Sequence, residues 1–273
     1  MRLYDAHNHL QDERLRPWLP GILASLPELG VTCAVVNGTR EEDWEAVARL
    51  ARAHAWIKPS FGLHPWHVKT RSPCWRDALL RYLTAFPDAG VGEIGLDRWI
   101  SDPDIPAQDE VFREQMSIAH DLDRPVSIHC LRAWGALEKT LARGPIPRRG
   151  FLLHSYGGPM EMVPTFVALG ARFSLSPYFS HERKLRQAAT FAAVPIDRLL
   201  AESDAPDMRP PDALNRYVLR GEDGSLLNHP ANLLVSYQQL AKIWGKPIET
   251  ISARIEENFL CFFGAGASST SAA

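Results

Sequence analysis

The chain has few cysteines and a net charge close to zero, and each of these features argues against some classes of protein. Its four cysteines lie far apart and form no CxxC pair, which argues against a zinc knuckle and against a disulfide framework. Reduced thiols are therefore expected. With 30 basic and 32 acidic residues, the formal net charge is −2. No overall basic field then draws the chain to nucleic acid or to acidic membranes, although a local basic patch is compatible with this balance.

Long apolar segments are also missing. The first residues lead directly into a strand-like run, without the apolar core of a signal peptide. No apolar run approaches the roughly 18 residues that a membrane-spanning helix needs. We therefore predict a cytoplasmic protein with no membrane partner. With 273 residues and 45% hydrophobic content, the chain can bury a core without disulfides.

Short β-rich runs alternate with longer amphipathic stretches along most of the chain. We predict strands at residues 3–7, 31–37, 57–62, 90–94, 125–129, 150–154, 171–175 and 198–202. Helices are predicted at residues 41–54, 75–86, 110–122, 135–141, 160–169, 182–191 and 232–244. An open doubly wound sheet lacks support, because no G-x-G-x-x-G follows the first strand. The alternation therefore predicts a single (β/α)8 TIM barrel over residues 1–263.

Three segments lack the periodicity of a helix or strand. Residues 98–108 and 206–230 each follow the end of a predicted strand, and we expect both to be irregular and to wall a pocket. The small and polar tail, residues 264–273, is expected to be disordered.

Residues with metal-binding side chains stand at the carboxyl ends of the predicted strands: His7, His9, Glu93, His129, His154 and Asp204. A parallel barrel brings its strand ends to one mouth, where such enzymes carry their chemistry. His7 and His9 are two positions apart, so a strand points both imidazoles to the same side. Imidazole and carboxylate ligands suit Zn²⁺, Mn²⁺ or Fe²⁺, and open water positions also admit Mg²⁺. Six ligands fit two ions about 3.5–4 Å apart better than one tetrahedral ion.

Each of these residues also has a simpler interpretation when it is taken alone. Glu93 is either a carboxylate that bridges two cations or the partner of a barrel arginine. His129 and His154 are each either a ligand or a hydrogen-bonded core histidine. Asp204 is either a turn residue before a proline or a ligand that also takes a proton from the attacking water. The complete set favours the metal interpretation, with Asp204 and Glu93 as the catalytic residues.

Ordered motifs along nearly the whole chain resemble those of the TatD family of metal-dependent hydrolases, within the amidohydrolase-like superfamily of TIM barrels. The segment Asp5-Ala-His7-Asn-His9 is similar to the DxHxH of that family, and residues 92–97 read GEIGLD, as its element does. The other similar segments are Gly62-Leu-His64-Pro65, Ile128-His129, Leu153-His154-Ser155, Glu202-Ser203-Asp204-Ala205-Pro206, residues 228–233 and Glu257-Asn258-Phe259. The ordered set and GEIGLD are specific to the family, whereas HxH alone is not.

The resemblance implies two divalent cations (Mg²⁺, Mn²⁺ or Zn²⁺) and hydrolysis of phosphoester bonds, with 3′–5′ exonuclease action on single-stranded DNA as one form. It assigns one cation to His7, His9, Glu93 and Asp204, and the other to Glu93, His129 and His154. His64 is expected either to contact the substrate phosphate or a metal-bound water, or to fix the loop before Pro65.

The loops around this site depart from the family pattern. Leu131 occupies the usual place of an arginine, and Arg132 either contacts a phosphate from the next position or faces solvent. Trp66 stands where the family often has histidine. The rings of Tyr156, Trp66 and Trp99 either stack on a base, as in single-strand binders, or pack within the protein. The metal chemistry is therefore predicted more firmly than the substrate.

Three functions fit these observations. The first is a metal-dependent phosphoesterase or deoxyribonuclease with a phosphoester substrate such as single-stranded DNA. The second keeps the metals but cleaves an amide, an ester or a lactone, as other members of the superfamily do. The third is a non-catalytic metal-binding partner protein, against which the intact ligand set argues. The sequence leaves the oligomeric state open, and a monomer is compatible with it.

Overall fold

Eight parallel strands lie side by side in sequence order. The computed structural model describes residues 1–264, so the disorder predicted for the tail lies outside the described residues except at Gly264. The strands are β1 (Leu3–Asn8), β2 (Val31–Asn37), β3 (Ile57–Phe61), β4 (Gly90–Asp97), β5 (Val126–Leu131), β6 (Phe151–Leu153), β7 (Ala171–Leu175) and β8 (Leu199–Ala201). A helix connects each strand to the next, as parallel pairing requires. The predicted (β/α)8 barrel is confirmed.

The first and last strands meet at the mouth of the barrel. Just beyond β8, the Asp204 amide donates to the His7 carbonyl at 3.0 Å. The His9 amide donates to the Ala205 carbonyl at 2.8 Å. Two segments almost 200 residues apart in sequence thereby lie side by side, and both carry predicted metal ligands.

The helices pack around the strands with one apolar face inward. They are α1 (Leu19–Glu28), α2 (Trp44–Ala53), α3 (Trp75–Ala85), α4 (Ile105–Asp121), α5 (Trp134–Leu141), α6 (Val163–Ala168), α7 (Leu185–Thr190), α8 (Leu233–Trp244) and α9 (Ile248–Phe263). In α2, Trp44, Val47 and Ala48 recur at helical spacing and are fully buried. Within residues 1–264, none of the helices has both the length and the apolarity of a membrane span.

The largest differences from the sequence-based predictions concern two helices and the start of a third. Neither α1 nor α9 is predicted from the pattern. Prolines stand in the first turn of α1 (Pro20), where proline is tolerated, and in its last turn (Pro27), so its sequence is atypical of a helix. The prediction of an irregular stretch over residues 98–108 is wrong from Ile105 onward, where α4 begins. The Asp104 carboxylate caps this helix by accepting the Ala107 amide at 3.1 Å.

The second stretch expected to be irregular contains a short antiparallel hairpin. Its strands are β9 (Val218–Arg220) and β10 (Leu226–Asn228). Asn228, at the end of β10, is fully buried. Its amide donates to the Pro206 carbonyl at 2.8 Å, and its Nδ2 donates to the Ser203 carbonyl at 2.7 Å. The hairpin therefore anchors the segment that carries Asp204.

The helix α9 covers the side of the barrel where β1 and β8 meet. Its Phe259 and Phe262 pack with Tyr4 of β1 and Val35 of β2 in a small apolar cluster. Most of the other buried hydrophobic side chains form one large cluster that runs through the strands and helices. The buried histidines and acids at the mouth belong to neither cluster.

Candidate active site

Glu93 occupies the centre of a cluster of buried histidines at the mouth. It extends from β4, and only 3% of the residue is exposed. Its Oε2 lies 3.2 Å from His9 Nε2 and 3.5 Å from His7 Nε2. Its Oε1 lies 2.9 Å from His154 Nε2 and 3.0 Å from His129 Nδ1. The two carboxylate oxygens therefore face two different pairs of imidazoles.

Asp204 completes the first group, which we call centre A. The Nε2 atoms of His7 and His9 are 3.2 Å apart. Asp204 Oδ1 lies 3.8 Å from the first of these atoms and 3.6 Å from the second. The three residues offer ligand atoms within 4.8 Å of one another. Centre A consists of these three residues and Glu93 Oε2.

His64 lies beside the second group, which we call centre B and which consists of Glu93 Oε1, His129 and His154. His64 Nε2 is 3.2 Å from Glu93 Oε1. Its Nδ1 accepts the amide of Trp66 at 3.2 Å, so the ring also holds the loop after β3. The position of His64 is compatible with both roles that the sequence leaves open for it.

Hydrogen bonds on the far side of the rings orient the imidazoles of centre A. His7 Nδ1 lies 2.7 Å from the Ser127 hydroxyl. His9 Nδ1 lies 2.8 Å from the Asn37 carbonyl. Because a carbonyl can only accept, the Nδ1 of His9 carries the proton, and in the neutral ring Nε2 presents a lone pair to the carboxylates. Outer contacts of this kind are typical of histidines that bind metal.

Two acidic residues lie behind the imidazoles of centre B. Asp97 Oδ2 lies 2.9 Å from His129 Nε2, and Glu202 Oε1 lies 3.7 Å from His154 Nδ1. Both acids are fully buried. Neither is among the predicted site residues, although both stand in the motifs GEIGLD and ESDAP. The signal that could have found them is an acid at the end of an apolar strand, since a buried charge needs a partner.

Burial and close contact shift the pKa values of the cluster. Burial alone raises the pKa of Glu93, but the imidazoles of His64 and His154 beside it hold that pKa well below its usual value. Burial lowers the pKa of His9, yet its contacts with Asp204 and Glu93 raise it well above the usual value. The mouth therefore keeps Glu93 ionised and favours positive charge beside it.

The backbone at Asp204 is held in an uncommon conformation. Its φ of 50° lies in the left-handed region, which aspartate tolerates better than most residues. The preceding Ser203 is fixed by Asp5, whose carboxylate accepts the Ser203 amide at 2.8 Å and its hydroxyl at 2.6 Å. Burial raises the pKa of Asp5 to about 7 in spite of these bonds. Sparsely populated conformations of this kind cluster at functional sites.

A cavity of about 1160 Å³ opens above the cluster. Its floor includes Glu93, His129, His154 and Asp204, and its walls come from the loops after β1, β2 and β3 and from one face of α2. Pockets for small ligands usually measure about 300–1,000 Å³. The cavity therefore has room for a substrate that extends well beyond one phosphate group.

The three predicted substrate contacts lie in different surroundings. His64 lines the cavity. Arg132 is exposed, and its guanidinium lies 4.3 Å from the centre of the Trp99 ring. Tyr156 is fully buried, and its hydroxyl donates to the Pro159 carbonyl at 2.7 Å. This placement gives Tyr156 a packing role and does not support stacking on a base.

The donor set fits divalent cations. His9 Nε2 faces oxygens of Glu93 and Asp204 at 3.2 Å and 3.6 Å, where it needs a proton to avoid repulsion between lone pairs, and a divalent cation can take the place of that proton. Imidazole nitrogens and carboxylate oxygens are ligands for Zn²⁺, Mn²⁺ and Fe²⁺, and the oxygens also suit Mg²⁺. All six predicted ligands belong to groups of described residues that could hold a metal ion, and these groups also include His64 and Glu202. Within these groups, His129 stands with His64 and Glu93, and His154 stands with His7 and Glu93.

Comparison with known proteins identifies relatives of the whole barrel. The family model described as TatD related DNase matches residues 4–264. The uncharacterized metal-dependent hydrolase YjjV of Escherichia coli (strain K12) is 27% identical over 264 residues, which cover 96% of this chain and 98% of the relative. The 3′-5′ ssDNA/RNA exonuclease TatD of the same strain is 29% identical over 251 residues, which cover 89% of this chain and 92% of the relative.

A solved structure supports the same relationship. The crystal structure of the TatD homolog YjjV from Escherichia coli K12 superposes with a TM-score of 0.84 and 25% sequence identity, over 97% of this chain and 98% of that chain. The motif-based resemblance is thus confirmed, and this chain belongs to the TatD related DNase family of metal-dependent hydrolases.

Proposed function

We propose that this protein is a metal-dependent phosphodiesterase that removes nucleotides from the 3′ end of single-stranded DNA or RNA. Several relatives are named as exonucleases of this kind. The observation that carries the proposal is the two-sided contact of Glu93, whose oxygens face centre A and centre B. A cytoplasmic location stays a prediction from the sequence, and the oligomeric state stays open.

We infer two divalent cations, drawn from Mg²⁺, Mn²⁺ and Zn²⁺, with one in each centre. Glu93 would bridge them, with His7, His9 and Asp204 on one side and His129 and His154 on the other. When bound, such cations act as Lewis acids that make water a better nucleophile near neutral pH and offset charge that develops on the phosphate.

The side chains of the protein then provide the proton transfer and the contacts with the phosphate. Asp204, which would bind the cation of centre A through Oδ1, takes the proton of the attacking water on its carboxylate. Burial lowers the pKa of His64 to about 4, so this ring is neutral near pH 7. Because its Nδ1 accepts the Trp66 amide, its Nε2 carries the hydrogen, which points to Glu93 Oε1 at 3.2 Å. We propose that this hydrogen passes to a phosphate oxygen when Glu93 binds a cation. Arg132, exposed near the mouth, is proposed to contact a neighbouring phosphate.

Asp204→Asn tests this function. With added Mg²⁺ or Mn²⁺, the purified protein should shorten a 5′-labelled single-stranded oligonucleotide. The substitution should slow cleavage by at least about 100-fold, because a general base contributes roughly 10²–10⁴-fold. Asp197→Asn, which changes an exposed aspartate outside the cavity, is the matched control. Cleavage that survives both Asp204→Asn and complete chelation would refute the proposal.

A substrate panel separates phosphoester hydrolysis from the cleavage of amides, esters or lactones. Inorganic phosphate should inhibit the enzyme, because it resembles the group that both centres would hold. If the protein hydrolyses a lactone or an amide and inorganic phosphate does not inhibit that reaction, carbon-centred hydrolysis is favoured instead.

Single-ligand variants test the number of cations. His9→Ala removes a ligand of centre A alone, and His154→Ala removes a ligand of centre B. Elemental analysis should show about two ions per wild-type chain and a loss of about one ion in each variant. His120→Ala, which removes an exposed histidine of α4, should keep the full content. A wild-type protein with a single ion would exclude the two-cation arrangement.

A further inference from the structure

Trp66 combines an exposed ring with a hydrogen bond to a buried acid. It follows β3, lines the cavity and is 56% exposed. Its indole nitrogen donates to Asp97 Oδ2 at 2.7 Å. The ring stands edge-on to His64, with 4.8 Å between the ring centres. Because aromatic side chains dominate binding interfaces, an indole left open beside the site indicates a surface that a substrate covers.

Asp97 connects Trp66 to centre B. The same Oδ2 that accepts the indole hydrogen lies 2.9 Å from His129 Nε2. A carboxylate that hydrogen-bonds the far nitrogen of an imidazole fixes the orientation of a metal-binding ring.

Trp99 provides a second exposed ring on the same side of the mouth. Its amide donates to the other oxygen of Asp97, Oδ1, at 2.6 Å, and the residue is 60% exposed. Both tryptophans are thus tied to one carboxylate next to His129. The guanidinium of Arg132 lies over the ring of Trp99 at 4.3 Å. Arg132 therefore occupies one face of the Trp99 ring, whereas no cation among the described residues lies over the ring of Trp66.

We propose that Trp66 is both the stacking platform for a nucleobase next to the scissile phosphate and the positioning residue that holds Asp97 on His129. The inference rests on the proposed action on single-stranded nucleic acid. The face of an indole stacks on any base, which suits a substrate read without strict sequence preference. Since Trp66 contacts His64, the base and the phosphate would belong to the same or to adjacent nucleotides. One side chain then binds substrate and orients a metal ligand.

Trp66→Leu tests the stacking role, because it removes the ring. The probe is a fluorescein-labelled single-stranded oligodeoxynucleotide with phosphorothioate linkages at its 3′ end, which slow cleavage. With Mn²⁺ present, the substitution should raise the Kd by about 5- to 100-fold, the range of base–aromatic stacking. The increase should disappear with a matched probe whose 3′-terminal nucleotides are abasic.

Trp18→Leu is the matched control for this measurement. It removes a tryptophan that is 43% exposed and lies outside the cavity lining, so the Kd should not change. No increase in Kd for Trp66→Leu, or an equal increase with intact and abasic probes, would overturn the stacking role. Binding that depends on Trp66 without any cleavage by the wild type would support the stacking site and refute the proposed exonuclease.

Trp66→Phe tests the positioning role, because it keeps a stacking ring but removes the indole donor. The probe should bind within about 3-fold of wild type. The affinity for Mn²⁺ should fall by about 10- to 100-fold, as when an outer partner of a ligand is lost. The kcat should therefore fall at limiting Mn²⁺ and recover at saturating Mn²⁺, which a general loss of structure would not produce.

Asp97→Asn provides a second variant that leaves the ring of Trp66 in place. It should weaken Mn²⁺ binding in the same way, as measured by calorimetric titration without nucleic acid. An unchanged Mn²⁺ affinity in Trp66→Phe would overturn the positioning role. Circular dichroism spectra that match the wild type establish that each variant is folded.

Discussion

Glu93 is a buried carboxylate whose nearest partners are all imidazoles. Five histidines place a ring nitrogen within 3.5 Å of its oxygens: His7, His9, His64, His129 and His154. Among the described residues no lysine or arginine forms an ion pair with it, so the alternative of a barrel arginine does not hold. An imidazole can lose its proton and turn a lone pair to a cation, which a guanidinium cannot do. This neighbourhood is therefore suited to metal binding.

Glu202 is a second buried acid, and it supports centre B from outside. Its carboxylate accepts the Ser155 amide at 2.7 Å and lies 3.7 Å from His154 Nδ1. Glu202→Gln keeps the shape of the side chain but removes the charge that, in the proposed site, would make His154 a better ligand. The affinity for Mn²⁺, measured by calorimetric titration, should fall by about 10- to 100-fold.

The control for Glu202 is Glu249→Gln, in the first turn of α9, where the side chain is exposed. That variant should bind Mn²⁺ with the affinity of the wild type. If Glu202→Gln also binds Mn²⁺ with the affinity of the wild type, Glu202 does not support a metal ligand and only holds the backbone at Ser155.

The candidate metal ligands could be predicted from the sequence better than the substrate contacts, and this difference has a physical cause. The six predicted ligands follow from residue type and from their place at the ends of strands, which a barrel brings together. The orientation of a loop side chain depends instead on which neighbours pack against it. Tyr156 turns inward because its ring packs against Trp134 and Phe173, with centres 4.8 Å and 5.0 Å away. A sequence motif contains no information on that choice.

At the scale of elements, α8 is bonded to β1 through one side chain. The hydroxyl of Tyr237 accepts the Tyr4 amide at 2.8 Å and donates to the Tyr4 carbonyl at 3.0 Å, and both residues are buried. Tyr237→Phe removes both hydrogen bonds, so the backbone amide and the carbonyl of Tyr4 each lose this partner. The free energy of unfolding, measured by urea denaturation, should fall by about 1–3 kcal/mol.

Tyr217→Phe is the comparison for this prediction. Tyr217 is half-buried, and its hydroxyl makes no hydrogen bond within residues 1–264. Its loss should change the free energy of unfolding by less than about 0.5 kcal/mol. Equal effects of the two substitutions would show that the bonds between α8 and β1 add nothing to stability.

Elements with strong periodicity were the ones that the sequence could predict. The buried strands and amphipathic helices such as α2 repeat one pattern over their whole length. The hairpin of β9 and β10 has only three residues in each strand, so no period develops. Its position depends on the buried hydrogen bonds of Asn228 to the segment around Asp204. These contacts join separate parts of the loop and cannot be read from local sequence.

At the scale of the whole molecule, the proposed cations would connect strands that are distant in sequence. Their ligands come from β1, β4, β5, from the residue after β6 and from the segment after β8. Ions that bind only the folded chain add about 4 kcal/mol of stability at 1,000 times their Kd. Chelation should therefore lower the melting temperature in scanning calorimetry, by roughly 2–4 °C for each kcal/mol lost.

Two further measurements complete this prediction. Returning Mn²⁺ or Zn²⁺ to the chelated protein should restore the melting temperature. The double variant His9→Ala/His154→Ala should melt at the same temperature with and without chelator. Chelation that leaves the melting temperature of the wild-type protein unchanged would contradict cation binding by the folded barrel.

The sequence by itself determined the barrel and indicated six candidate ligands, because both depend on repeated local patterns and on residue type at strand ends. Only the tertiary structure decided that the two oxygens of Glu93 face different imidazoles, that Asp97 and Glu202 stand behind His129 and His154, and that Tyr156 faces inward. The physical reason is that hydrogen bonds and packing act over a few ångströms in space. Which residues come that close is settled only when the chain closes on itself.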